Sequence, residues 1–95
     1  MKCVFSPDAQ ADIDAIWENT FDAWGEVQAE AYVQLFQTAS LTLAKSPRVG
    51  RDNSEVRHGY RRYNVGSHVV FYRIGDDFVD IVRILHQRMD FDRHL

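Results

Sequence analysis

The strongest pattern along the chain is a pair of apolar runs, HVVFYRI and FVDIVRILH, set between His68 and His86 on either side of Gly75-Asp76-Asp77. Runs rich in Val, Ile, Phe and Tyr joined by a short Gly/Asp loop predict an antiparallel β-hairpin. In the first run, Val69, Phe71 and Arg73 fall on one face, with Val70, Tyr72 and Ile74 on the other. In the second, Val79, Ile81, Arg83 and Leu85 alternate with Phe78, Asp80, Val82, Ile84 and His86. Both faces carry apolar residues, so two central strands are expected, covered fully on one side and partly on the other. Arg83 is the odd residue, a charge inside the most hydrophobic run.

Upstream the apolar period lengthens from two to about 3.6. Lys2 to Phe5 reads as a short first strand, and Ser6-Pro7-Asp8 as a helix start. A serine accepts backbone hydrogen bonds at an N-cap, proline fits the first turn, and aspartate favours the positive end of the helix dipole. Ala9, Ile13, Ile16, Trp17, Thr20 and Trp24 then form one stripe, ended by Gly25. Ala29, Tyr32, Val33, Phe36, Ala39 and Leu43 form a second, widened by Leu35 and Leu41 and stopped at Ser46-Pro47. Two amphipathic helices around a lone glycine predict an antiparallel helical hairpin, with Trp17, Trp24, Tyr32 and Phe36 in the core. Arg48 to His58 reads as a polar loop, Tyr60 to Val65 alternates as a strand, and Gly66-Ser67 turns it into the hairpin. The tail QRMDFDRHL is too short and polar for another core element and has room for one helical turn. The expected fold is a single α+β domain over residues 1–95, in the order β-α-α-β-β-β. A small antiparallel sheet carries the helices on one face and is partly open on the other.

Composition adds bounds. A chain of 95 residues, 45% hydrophobic, is one domain that can bury only about 60–65% of its unfolded surface. No window approaches the roughly 20 apolar residues of a membrane span, and the start MKCVFSPDAQ lacks the apolar region of a secretory signal. With Cys3 as the sole cysteine no internal disulfide can form, and a soluble, cytoplasmic setting is expected. The net charge of −3 conceals a division: residues 1–44 set one base against seven acids, a balance of −6, whereas residues 45–95 set ten bases against seven acids, +3. A dipolar molecule of this kind can present its basic half to an acidic partner. The overall balance makes free nucleic acid a poor primary ligand, and no direct sequence specificity is expected.

Little points to cofactor chemistry. His58, His68, His86 and His94 form no close pair of the zinc type, Gly50 and Gly59 are isolated rather than a phosphate loop, and no Ser-His-Asp set is legible. Neither a metal nor another cofactor is expected.

Several stretches resemble the ParE branch of the RelE/ParE toxins of bacterial type II toxin–antitoxin modules. They are FSPDAQADIDAIW (Phe5 to Trp17), WGEVQAEAY (Trp24 to Tyr32), LAKSPRVGR (Leu43 to Arg51), HVVFYR, IVRILHQRMD and the closing Arg93-His94-Leu95. Each piece is weak, but their order and spacing over nearly the whole chain are specific. The resemblance implies a RelE-like fold, neutralisation by a cognate ParD-like antitoxin in a hetero-oligomer, and poisoning of DNA gyrase. It also raises an enzymatic alternative, since sister RelE-type toxins are ribosome-dependent mRNA endonucleases. That chemistry needs a proton acceptor for the ribose 2′-hydroxyl, cations for the phosphate and an acid for the leaving oxygen. Matched to the YoeB-like pattern of an Arg, a Glu and a His-Tyr pair, this chain has His86 at the histidine, but Gln87 follows in place of Tyr, and Val69 stands at the first-strand arginine. A non-enzymatic, protein-binding toxin is therefore expected. Arg61, Arg73, Arg83 and His86 supply charge for binding antitoxin or target, Met89 apolar contact, and Asp90 a partner for His86 or Arg83. At most one of Arg61 and Arg62 can share a face with Arg83.

Overall fold

The helix start and the hairpin register together fix the architecture. The computed structural model describes all 95 residues, Met1–Leu95. It runs β1 (Lys2–Phe5), α1 (Pro7–Trp24), α2 (Glu26–Lys45), a 3-10 turn (Pro47–Val49), β2 (Arg51–Asp52), β3 (Arg61–Val65), β4 (His68–Ile74), β5 (Phe78–His86) and α3 (Phe91–His94). The Ser6 hydroxyl accepts from the Ala9 N–H at 3.0 Å, with Pro7 and Asp8 in the first turn of α1. Gly25 separates the two helices at φ 92°, a conformation that other residues rarely adopt.

The class is α+β, as expected, but the sheet is mixed rather than wholly antiparallel. Its order is β1-β5-β4-β3-β2, and β1 pairs parallel with β5, from Lys2 opposite Phe78 to Phe5 opposite Ile81. Parallel neighbours need a long crossover, and the helical hairpin between β1 and the later strands provides the length. The polar loop contributes the short β2, which pairs Arg51 with Arg62 and Asp52 with Arg61.

One irregularity overturns the strict alternation expected of β5. Phe71 lies opposite Arg83 and Tyr72 opposite Ile81, so Val82 is an extra residue, a β-bulge. A one-residue insertion exchanges the faces beyond it. Val79, Ile81 and Ile84 consequently share the helix-covered core with Ile16, Phe36, Leu43, Val70 and Tyr72. Leu85 joins Val69 and Phe71 on the opposite face, where Phe91 and Leu95 pack over them. The tail is thus a cover for a second small core, a role its polar sequence concealed. Backbone groups released by the bulge are satisfied from the start of α1. Ser6 Oγ donates to the Val82 carbonyl at 2.7 Å, and the Ile84 N–H donates to Asp12 Oδ2 at 2.9 Å.

The helical stripes hold except at Trp24 and at the flanking Leu35 and Leu41. Phe36, Ala39 and Leu43 are buried, whereas Trp24 is 76% exposed and Leu41 72%. Phe21 and Val27 are exposed beside Trp24. Trp17 stays half-buried by stacking on Phe21 and donating its indole N–H to Glu30.

Candidate functional site

The bulge aims the end of β5 into a cleft between α1 and the ends of β4 and β5. Two adjoining hollows, about 400 Å³ and 290 Å³, share Asn19, His68 and His86. The first is closed by Tyr32 and the exposed Trp24, the second by Asp12, Arg83 and Met89. His68 and His86 are directly opposed cross-strand residues whose rings meet edge to face at 5.2 Å between centroids.

Each ring has a defined partner. The Ser67 N–H donates to Tyr32 Oη at 3.0 Å, which leaves the phenol free to donate to His68 Nδ1 at 2.7 Å. Gly66 makes this approach possible: at φ 57° it bends the chain, and a Cβ there would lie 2.8 Å from Tyr32 Oη. His86 Nδ1 accepts from the Arg88 N–H at 3.1 Å, which holds the turn into the tail and assigns the neutral ring's proton to Nε2. Burial pushes the His68 pKa below its ordinary value, the neighbouring His86 adds to that effect, and Asp12 opposes it.

Asp12 organises the other half. Its carboxylate accepts from Arg83 Nε and Nη2, both at 2.8 Å, and from the Ile84 backbone. Arg83 also donates Nη1 to the His94 carbonyl at 3.1 Å. The hydrogen bonds to Asp12 push the guanidinium pKa upward, so the arginine is permanently charged and already paired.

Of the six residues singled out from the sequence, three gather here: Arg83, His86 and Met89. The other three lie elsewhere. Arg61 sits at the far side of the sheet, donating to the Arg48 and Gly50 carbonyls. Arg73 pairs with Asp80 at 2.9 Å. Asp90 is exposed at the start of α3 with no side-chain cap bond, and the partner of Arg83 is Asp12. Between Arg61 and Arg62, the one on Arg83's face is Arg62, opposite Phe71. Residues the sequence reading passed over are Asp12, Asn19, Tyr32 and His68. A signal existed for Asp12, which falls three residues after Ala9 and four before Ile16, both buried, and so on the inner edge of α1.

As a reaction centre the cleft is poorly equipped. Its one arginine is engaged by an internal carboxylate, and each histidine Nδ1 is taken by a fixed partner. Val69 is 1% exposed beneath the tail. No group of three or more His, Cys, Asp and Glu side chains is placed to hold a metal ion.

Comparison with known proteins places this geometry. Residues 3–91 match the family model for the ParE toxin of the type II toxin–antitoxin system parDE. Toxin ParE1 of Mycobacterium tuberculosis is 50% identical over 95 residues, covering 99% of this chain and 97% of the relative. Toxin ParE1 of Caulobacter vibrioides is 44% identical over 87 residues, covering 92% and 90%. A solved chromosomal ParDE system from P. aeruginosa has the same fold, with a TM-score of 0.81 at 22% identity over 90% of this chain and 95% of that one. The chain belongs to the ParE toxin family of type II toxin–antitoxin systems.

Proposed function

We propose that this toxin acts by contact rather than by catalysis, binding DNA gyrase and stopping replication until a ParD-like antitoxin covers it. The observation that carries the non-enzymatic reading is the Asp12–Arg83 pair, which neutralises the only cation lining the cleft. A phosphoryl-transfer site needs unpaired positive charge where the transition state develops negative charge. Gyrase as target rests on the family. The antitoxin reading has additional support from the toxin surface: Phe21, Trp24, Val27, Leu35 and Leu41 are all exposed along the helical hairpin. Exposed apolar residues on one element suit a partner segment that folds as it binds.

One observation favours the rival endonuclease reading, namely two histidines and a tyrosine meeting in a cleft. Expression without antitoxin separates the two. Contact with gyrase predicts growth arrest with broken or unreplicated DNA and intact mRNA. Arrest with cleaved mRNA, abolished by His86→Ala, would replace the gyrase reading with the endonuclease.

A further inference from the structure

The sheet face away from the helices carries a row of arginines, of which the cleft uses only Arg83. Register places Arg51 opposite Arg62, Arg62 opposite Phe71, and Phe71 opposite Arg83, so four neighbouring strands contribute to one line. Cross-strand partners share a face, and neighbouring strands lie about 4.8 Å apart, so the row spans roughly 14 Å. Arg83 is neutralised by Asp12, but Arg51 and Arg62 have no carboxylate partner. Arg62 lies over the Phe91 ring at 5.3 Å, and Arg57 reaches the same segment by donating to the Leu95 carbonyl. Two guanidinium groups without a carboxylate partner, Arg51 and Arg62, therefore lie on this face, and Arg57 is already engaged at the end of the cover. The acids of residues 1–44 all belong to the helical layer.

The chemistry of this face selects among partners. Its apolar residues Val69, Phe71 and Leu85 are no more than 1% exposed, already sealed by Phe91 and Leu95. A protein partner gains affinity from an apolar centre within its interface, which this face does not offer. A nucleic-acid backbone needs only positive charge with bidentate donors, which arginine supplies. We infer that Arg51 and Arg62 form a docking surface for the phosphate backbone of duplex DNA, independent of base sequence. The contact stands apart from the gyrase reading, because a toxin can touch DNA with or without a protein target. The acidic helical layer repels the same polyanion, so the binding is weak and strongly screened.

Fluorescence anisotropy of a short random-sequence duplex, titrated with antitoxin-free toxin at several salt concentrations, tests the inference. Two phosphate contacts give a slope of log K against log salt of about −1.8, an affinity loss of about twelvefold between about 50 and 200 mM salt. Arg51→Ala with Arg62→Ala should bring the slope close to zero and nearly abolish the loss. Arg51→Lys with Arg62→Lys keeps the charges and should keep the slope, which guards against a folding defect in the alanine variant. No binding at low salt would overturn the inference. So would a slope unchanged by the alanine substitutions, which would put the DNA elsewhere, or equal competition by polyglutamate, which would make the face a site for acidic protein.

Discussion

Replacing Asp12 by alanine tests how the bulge, the arginine and the tail are held together. Three hydrogen bonds vanish at once: two from Arg83 at 2.8 Å and one from the Ile84 N–H at 2.9 Å. The Arg83 and Asp12 side chains are 22% and 14% exposed, so neither is fully solvated. Removing one partner of a buried ion pair costs about 3–5 kcal/mol, and an orphaned backbone N–H about 1–3 kcal/mol. Residual solvent contact at Arg83 and at the sheet end lowers the sum, to about 3 kcal/mol in total. Urea unfolding followed by circular dichroism reads this directly: with a slope of about 1.5 kcal/mol per M, the midpoint falls by about 2 M. Asp12→Asn keeps an acceptor for Ile84 and loses only the charge, so its midpoint should lie between those of the two proteins. The double variant Asp12→Leu, Arg83→Met removes both charges together and should recover much of the loss. If Asp12→Ala costs less than about 0.5 kcal/mol, the range of an ordinary surface change, the claim that Asp12 organises the cleft is wrong.

Two further outcomes follow from particular contacts. Tyr72, fully buried, donates its hydroxyl to the Pro47 carbonyl at 2.6 Å and accepts from the Gly50 N–H at 3.0 Å. Tyr72→Phe leaves that N–H unsatisfied, and thermal unfolding should report a loss of about 2 kcal/mol, or about 10 °C in Tm. For His68, burial and His86 lower the folded-state pKa, so the unfolded chain takes up this proton first as pH falls. The stabilisation is fully present above the ordinary histidine value of about 6.5 and is lost as pH drops through the lower folded value. Urea midpoints at neutral and mildly acidic pH should therefore diverge more in the wild type than in His68→Gln; equal divergence would dissociate His68 from the acid sensitivity.

Local patterning carried most of the fold. The Ser6-Pro7-Asp8 start, the break at Gly25 and the Gly66 turn all act through nearby backbone, and each was legible. What escaped depends on residues far apart. The bulge at Val82 exchanges the faces of β5, and the groups that hold it, Ser6 and Asp12, are 76 and 71 or 72 residues distant. Trp24 satisfies helical periodicity as well as Phe36 does, yet tertiary packing leaves the first exposed and buries the second. The candidate site was half visible for the same reason. Arg83 and His86 were conspicuous within β5, whereas Asp12, Tyr32 and His68 became part of the cleft through tertiary pairing. Arg61 and Arg73 had the right chemistry at the wrong end of the sheet, each already bonded to its own neighbours.

The central proposal, inhibition of gyrase by contact, meets its most direct test in a supercoiling assay with purified, antitoxin-free protein, relaxed plasmid and ATP, scored also for trapped cleaved DNA. Loss of supercoiling with accumulation of cleaved plasmid, reversed by a ParD-like antitoxin, is the expected result. Full supercoiling with the toxin in large excess over gyrase would contradict it.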